Sequence, residues 1–533
     1  MKNAWFFLIM LVVTTSSIEL LGQTNYPTDK FVPFYFNTYV PNKYVPENKF
    51  LNSSIDSTMP PEFSIVKDKL PEPIWPNCPD GINLYWRTWE LAFDNLRKAS
   101  TEKGFITPYI DPAFNNNIFT EDCGFMVLFG RYGSRAFNFQ QTLDNFYAKQ
   151  HPDGFICREI RGADGLDAFH RYDPASAGIN IFPWAEWEYF SNIDDVERLE
   201  KVFPVLLANY HWYRNYRTWP DGSYFSSGWG CGMDNQPRLP SGYHEFFSHG
   251  HMSWVDATLQ GIYSGKLLIE MAQVLNRYED VEDIKEELTF LTSYVNSKMW
   301  DSNESFYFDR YRDGSLSSVK TIGAFWALLA DVVPQQDVKN FLAHLSDTTE
   351  FNRPHRIPTL SADNPIYDPK GGYWRGAVWA MTNYSVLRGL TTIGADSLAY
   401  EIASNHVKNV IEIFKTSGIV WENYAPEFKE GSGKENFVGE GGLTGTAILL
   451  EYIFGIRADV PNQTLTWDIR LIDEFGVNRY PYGKSGIVNL HCQKRNMTTE
   501  EPIVTVNSNV PFKLKIMWDG GFKMIDVKTG KNN

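Results

Sequence analysis

Basic residues are scarce in this 533-residue chain: 49 Lys and Arg stand against 64 Asp and Glu, for a formal net charge of −15. With a pI near 5.2 and no basic stripe to neutralise phosphates, the composition excludes a nucleic-acid partner. Cysteine is sparse as well. Cys78, Cys123, Cys157, Cys231 and Cys492 are odd in number and lack metal-ligand spacing, so at least one thiol is free and no zinc motif is present. Beyond the first residues no apolar run reaches the length of a membrane helix, which excludes a conventional helical span. No ligand-spaced carboxylate loop announces a calcium ion, and nothing calls for an organic cofactor.

What is present is apolar and aromatic. Hydrophobic residues make up 43% of the chain and aromatics 15%, including 17 Trp, enough for a large buried core and incompatible with disorder. Lys2 followed by the apolar run Ala4 to Val13 and a more polar stretch to Gly22 predicts a secretory signal over 1–22, hence a secreted or periplasmic protein. Residues 23–70, rich in Pro, Asn, Tyr and Ser, read as an extended arm on the surface. Helical periodicity starts with Tyr85, Trp89, Phe93 and Leu96. It recurs near 118–131, 139–150, 179–192, 196–217, 253–277, 280–299, 321–344, 376–392, 396–415 and 441–454. So many helices without interleaved strands predict a mainly α domain, a helical toroid over 71–458. After Pro461, runs such as Leu465–Ile469, Ile487–Leu490 and Ile503–Val506 alternate like strands, predicting a small β domain over 459–533. The linkers 151–178, 220–250 and 349–375 are too long to be mere connectors and read as functional loops on that scaffold.

One of these loops and a later run carry isolated carboxylates among aromatic and turn residues: Trp229-Gly230-Cys231-Gly232-Met233-Asp234-Asn235-Gln236-Pro237-Arg238 and Trp421-Glu422-Asn423-Tyr424-Ala425-Pro426-Glu427. Cleaving an acetal between sugars needs one carboxylic acid to protonate the leaving oxygen and a second carboxylate to activate or stabilise the incoming nucleophile. Asp234 and Glu422 are the candidate pair. The competing structural roles are a helix cap or Asx turn for Asp234 and an ion pair for Glu422.

The run Gly232 to Arg238 resembles the general-acid signature of the trehalase and α-glucosidase I type of glycoside hydrolases, close to family 63 and its mannosylglycerate-hydrolase-like relatives. Three more runs fit the same family in order: Gly154-Phe155-Ile156-Cys157-Arg158-Glu159, Gly372-Tyr373-Trp374-Arg375-Gly376-Ala377-Val378-Trp379, and Trp421-Glu422-Asn423-Tyr424. The resemblance covers residues 85 to 455. It implies an (α/α)6 barrel, six helical hairpins in a ring, acting as an inverting hydrolase on α-linked terminal sugars. Asp234 would be the general acid and Glu422 the general base, with carboxyls roughly 6.5–9.5 Å apart to admit the attacking water.

Asp122, Phe125, Arg158, Trp229, Asn235, Trp374, Arg375 and Trp379 are the expected substrate contacts, the tryptophans as stacking walls and the arginines as forked donors. The chain also departs from the family. Glu121 stands where a tryptophan is usual, Cys157 and Ala377 replace prolines, and Glu440 in Gly439-Glu440-Gly441-Gly442-Leu443 sits where an aromatic is expected, which bears on what the cleft accepts. Arg238 is expected to pair with a carboxylate, and Glu427 to form a turn. A polysaccharide lyase on a helical toroid is a rival that drafts Tyr243, His244 and Arg375, but it leaves the Asp234 and Glu422 runs unexplained. A non-catalytic carbohydrate-binding relative is the other rival.

Overall fold

The computed structural model describes residues 40–532. The expected signal segment and the first part of the expected arm lie outside the described residues. From 40 to 70 the chain is not simply extended: it makes short helical turns at Val45–Glu47, Lys49–Asn52, Phe63–Val66 and Lys67–Lys69. Tyr44, Phe50, Val66 and Leu70 are buried and fasten this segment down. Asn48 caps the second turn by accepting from the Phe50 N–H at 2.9 Å while its amide donates to the Tyr147 carbonyl.

The helices are α1 (Pro79–Asp94), α2 (Thr120–Gly130), α3 (Phe182–Ile193), α4 (Val196–Tyr216), α5 (Val255–Leu275), α6 (Glu282–Tyr294), α7 (Trp326–Leu329), α8 (Gln335–Ala343), α9 (Ala380–Thr392), α10 (Asp396–Ser417) and α11 (Thr444–Ile453), the last wound as a π-helix. Two expected helices come out differently. The 139–150 stretch is a 3₁₀ turn at Phe139–Leu143 running into a single α turn at Asp144–Tyr147. The 321–344 stretch is split: α7 closes at Leu329, Asp331 turns left-handed at φ 49°, and α8 starts only after Pro334, extended at ψ 139°.

Side-chain pattern decides which helices lie inside. Every residue of α2 except Asp122 is buried, as a helix covered on all sides requires, whereas α6 buries only the stripe Ile284, Leu288, Leu291 and Tyr294. Packing runs from α2 to α3, α5, α7 and α9, and α11 packs back against α2. The Tyr384 hydroxyl of α9 donates to Glu451 of α11 at 2.9 Å, joining the two ends of that series. Helices α1, α4, α6 and α10 pack outside it, α1 and α10 on α11, α4 and α6 on α5. Glu451 also takes Arg131 at 2.6 Å and Arg388 at 3.1 Å, and Glu188 of α3 pairs with the same two arginines. This buried network ties α3, α9 and α11 to the end of α2.

Eleven strands bear on the site and the tail: β1 (Glu72–Ile74), β2 (Trp421–Tyr424), β3 (Gly431–Glu435), β4 (Ile456–Asp459), β5 (Thr464–Asp468), β6 (Phe475–Tyr482), β7 (Gly486–Cys492), β8 (Val504–Ser508), β9 (Phe512–Trp518), β10 (Gly521–Val527) and β11 (Gly530–Asn532). β2 and β3 form an antiparallel hairpin. The tail builds a five-stranded sheet, β1-β6-β7-β8-β11, and a four-stranded sheet, β4-β5-β9-β10, in which β5 and β9 run parallel. Strict alternation of buried and half-buried residues along β7 explains why its sequence reads as a strand. The sheets reach further than the expected 459–533. Strand β4 straddles residue 458, and β1, expected at the start of the helical part, adds to β6 through the pairs Glu72 to Asn478 and Ile74 to Gly476. One continuous apolar core spans helices and sheets, and all five cysteines are free thiols.

Candidate active site

The Asp234 loop is shaped locally. Ser227 accepts from the Gly230 N–H at 3.1 Å and so caps the single turn Gly228–Cys231. Gly232 ends the turn at φ +68°, and a Cβ there would lie 2.0 Å from Glu121 Oε1, so glycine is required both for the left-handed backbone and for the close approach of α2. Arg238 then anchors the loop. Its guanidinium, 1% exposed, grips Asp256 through Nη1 (2.6 Å) and Nη2 (3.0 Å) and Asp309 through Nε (2.8 Å) and Nη2 (2.6 Å), and it lies over the Trp254 ring. Asp309 in turn accepts from the Val255 N–H, so the clamp fixes the loop to the first turn of α5.

The 371–379 loop packs against this one. Asn235 Oδ1 accepts from the Trp374 N–H at 2.8 Å, Asn235 Nδ2 donates to the Gly372 carbonyl, and Arg375 Nε donates to the Asn235 carbonyl. The Tyr373 hydroxyl is thereby brought to Asp234 Oδ2 at 3.2 Å, and Trp374 and Trp379 stack face to face with centroids 3.9 Å apart. Glu422 comes from a third place, strand β2. Its Oε2 accepts from the Lys434 N–H at 2.7 Å across the hairpin, and a Cβ on Gly433, at φ +77°, would fall 2.2 Å from that oxygen. We expect Gly433→Ala to push the Glu422 carboxylate out of place and lower kcat at least tenfold while costing about 1–2 kcal/mol of stability through the disfavoured φ, a split readable from steady-state rates and thermal melting.

Asp234, Glu422, Asp122, Arg158, Trp229, Trp374 and Trp379 line one cleft of about 300 Å³ that opens to solvent. Burial pushes the Asp234 carboxyl up to about 6 against the opposing pull of Arg158 and the Tyr373 hydroxyl, with Glu422 nearby raising it further. Burial also raises Glu422, but the Lys434 N–H favours its ionised form. Asp122 is pushed up to about 7, chiefly by burial. Burial raises both carboxyls of the candidate pair, while Asp234 accepts from the Tyr373 hydroxyl and Glu422 from the Lys434 N–H, donors that favour the ionised form of each. The Arg158 guanidinium lies over the Phe169 ring (5.1 Å) and the Trp229 ring (5.6 Å), and its Nε donates to the Ala175 carbonyl.

Three expected sugar contacts are corrected. Phe125 is 1% exposed and sets its edge against Trp184, because about one helical turn beyond Asp122 it lies in the core below the cleft. Asn235 spends its amide on the 371–379 loop, and Arg375 pairs with Glu245 at 2.9 Å; neither lines the cleft. Tyr243 and His244, the lyase candidates, sit on an exposed loop outside it, where the Tyr243 hydroxyl pairs with His251 Nδ1. Arg238 pairs with carboxylates as expected, and Glu427 takes an ion pair from Arg353 and a hydroxyl from Tyr367. Among the described residues no group of three or more His, Cys, Asp or Glu is arranged to hold a metal ion.

Reading the sequence missed Glu121, Glu159 and Tyr373 as cleft residues. Glu121 had a signal: two carboxylates in succession at the head of an otherwise apolar helix have to be disposed of somewhere. Tyr373 stood inside a quoted run, but only the fold aims its hydroxyl at Asp234.

The family model of the mannosylglycerate hydrolase MGH1-like glycoside hydrolase domain matches residues 116–438. An uncharacterized protein of Borreliella burgdorferi is 23% identical over 385 residues, 68% of this chain and 79% of that protein. A probable mannosyl-oligosaccharide glucosidase of Schizosaccharomyces pombe is 24% identical over 277 residues, but the match covers 46% of this chain and only 34% of that protein. Among solved structures, the family 63 mannosylglycerate hydrolase of Thermus thermophilus in complex with glucose superposes with a TM-score of 0.55 at 19% identity, covering 69% of this chain and 99% of that one. The neutral trehalase of Saccharomyces cerevisiae gives a TM-score of 0.52 at 16% identity over 65% of this chain and 73% of that one. At these identities the structural likeness is one of fold.

Proposed function

We propose, for a chain that belongs to the mannosylglycerate hydrolase MGH1-like glycoside hydrolases, inverting hydrolysis of an α-linked terminal sugar, with Asp234 as general acid and Glu422 as general base. The observation that carries this reading is the convergence of a half-buried and a buried carboxyl, brought by a loop and by a strand far apart in sequence, on one aromatic-walled cleft. Asp234, protonated below about pH 6, delivers its proton to the departing glycosidic oxygen. Glu422, held by the Lys434 N–H, takes a proton from water, which attacks the anomeric carbon from the face opposite the leaving group. Trp229 supplies an apolar face for the sugar ring, Trp374 and Trp379, 2% and 1% exposed and stacked on each other, back the wall behind it, and Arg158 and Asp122 supply hydrogen-bond partners for its hydroxyls.

The helix series from α2 through α11 and back supports reading the helical part as an (α/α)6 barrel, with the two sheets as an accompanying β domain. An exported location follows from the sequence of residues 1–22 alone. Glucosidase and mannosylglycerate hydrolase relatives make terminal α-glucose and α-mannose the first sugars to offer. In a proton NMR time course with α-linked oligosaccharides, the β-anomer of the released sugar is expected first. The α-anomer appearing first would sink the inverting assignment, and an unsaturated product absorbing in the ultraviolet would point to a lyase instead.

A further inference from the structure

The cleft is lined by Glu121, Asp122, Glu159, Asp234, Glu422 and Glu440 against a single guanidinium, Arg158, whose Nη2 lies 3.7 Å from Glu159. Acid–base chemistry accounts for Asp234 and Glu422, leaving Glu440 without a use. It sits in Gly439-Glu440-Gly441-Gly442, just before α11, with 6% exposure, lining the same cleft as Asp122. Oε2 of Glu440 has no hydrogen-bond partner, and neither does Oε1 of Glu121, which is 8% exposed. Both of these residues face the cleft.

Unpartnered, buried acceptors in a cleft wall call for donors on whatever fills it. Sugar hydroxyls are such donors. A carboxylate on the same ring is acceptor-only and would meet the acids of this wall under low-dielectric cover, with Arg158 the one cation among the lining residues. We propose that Glu440, in the cleft wall with Asp122, is a specificity-determining residue that makes this cleft select a neutral, hydroxyl-rich terminal sugar and reject one bearing a carboxylate. This rests on reading the cleft as a sugar site but not on any turnover there.

The test is binding of matched probes to the full chain at pH 7 by ligand-observed NMR: methyl α-glucoside against methyl α-glucuronide, and methyl α-mannoside against its uronate. The neutral member of each pair is expected to bind at least tenfold more tightly. In Glu440→Gln, which keeps the shape and removes the acid, the ratio is expected to fall below threefold through a gain in uronate binding. A second measurement needs no variant. The groups facing Glu440 are Asp122 and Glu121 from α2, Glu422 from β2 and, across the cleft, Arg158 and Asp234. All but Arg158 are acids, so uronate binding to the unmutated chain should strengthen as pH falls from 8 to 5.5 while neutral binding holds. A ratio within threefold in the unmutated chain, an unchanged ratio in the variant, or no binding of either probe overturns the proposal. Hydrolysis is scored separately: selective binding without turnover of any glycoside sinks the hydrolase reading alone, and turnover of uronides at the rate of neutral glycosides sinks this one alone.

Discussion

Asp234→Asn is expected to lower kcat on an α-linked disaccharide by about 10²–10⁴-fold, the range general acid catalysis supplies. The loss should shrink to tenfold or less on the matching α-glycosyl fluoride, whose leaving group needs no proton, because the variant keeps the base, the cleft and the water. The pH dependence of kcat/KM follows from the same carboxyl. With Asp234 pushed up to about 6, activity of the unmutated chain falls as pH rises through that region, and this limb disappears in the variant. Loss of ionised Glu422 sets the acid limb, displaced upward from the usual glutamate value by burial.

Asp234 also has a stability signature of defined sign. A carboxyl whose folded value, about 6, exceeds its ordinary value of 3.8 binds a proton on folding. Its favourable contribution is present below the unfolded value and is lost as pH rises through the folded one. At pH 7 the ionised, buried group is therefore a burden on the order of 3 kcal/mol at most. Asp234→Asn should melt later than the unmutated chain at pH 7 and no later near pH 3.5. An earlier melt at pH 7 would mean that the asparagine breaks contacts that the carboxylate makes.

The second large effect concerns Arg238. Arg238→Met leaves Asp256 and Asp309, both buried to 1% exposure or less, facing each other without a counter-charge. Removing one partner of a buried ion pair typically costs about 3–5 kcal/mol. Chemical denaturation should report a loss in that range, with some activity lost as the Asp234 loop slackens. Combining the change with Asp256→Asn and Asp309→Asn should recover a large part of the stability, since the cost lies in stranded charge. If the triple variant is as unstable as the single one, the packing of Arg238 on Trp254 matters more to stability than the stranded charge does.

Several of these residues were legible in the chain itself. Local rules suffice for Pro183 near the start of α3, for Gly418 in the left-handed conformation closing α10, and for the alternation along β7. Asp234 and Glu422 stood out because each sits alone among aromatic and turn residues and because four runs in order resemble one glycoside hydrolase family. The breaks came where a long-range partner overrode local pattern. Phe125 stands three residues from Asp122 and shares its helix face, but depth below the cleft is a property of the packed helices and not of spacing. Asn235 and Arg375 are polar residues in the right loops, and it is the contact between those loops that occupies them. Strand β1 joins a sheet whose other members lie some 400 residues later, a pairing without local signature.

Composition, periodicity and turn chemistry, each set by neighbours within a few residues, determined a mainly helical chain with a strand-rich tail and a pair of unusual carboxylates. The tertiary structure decided which acids share one cleft, which of them keep an oxygen without a partner, and how far burial lifts them. These quantities depend on solvent exclusion and on charges brought from distant segments, and no window of sequence contains them.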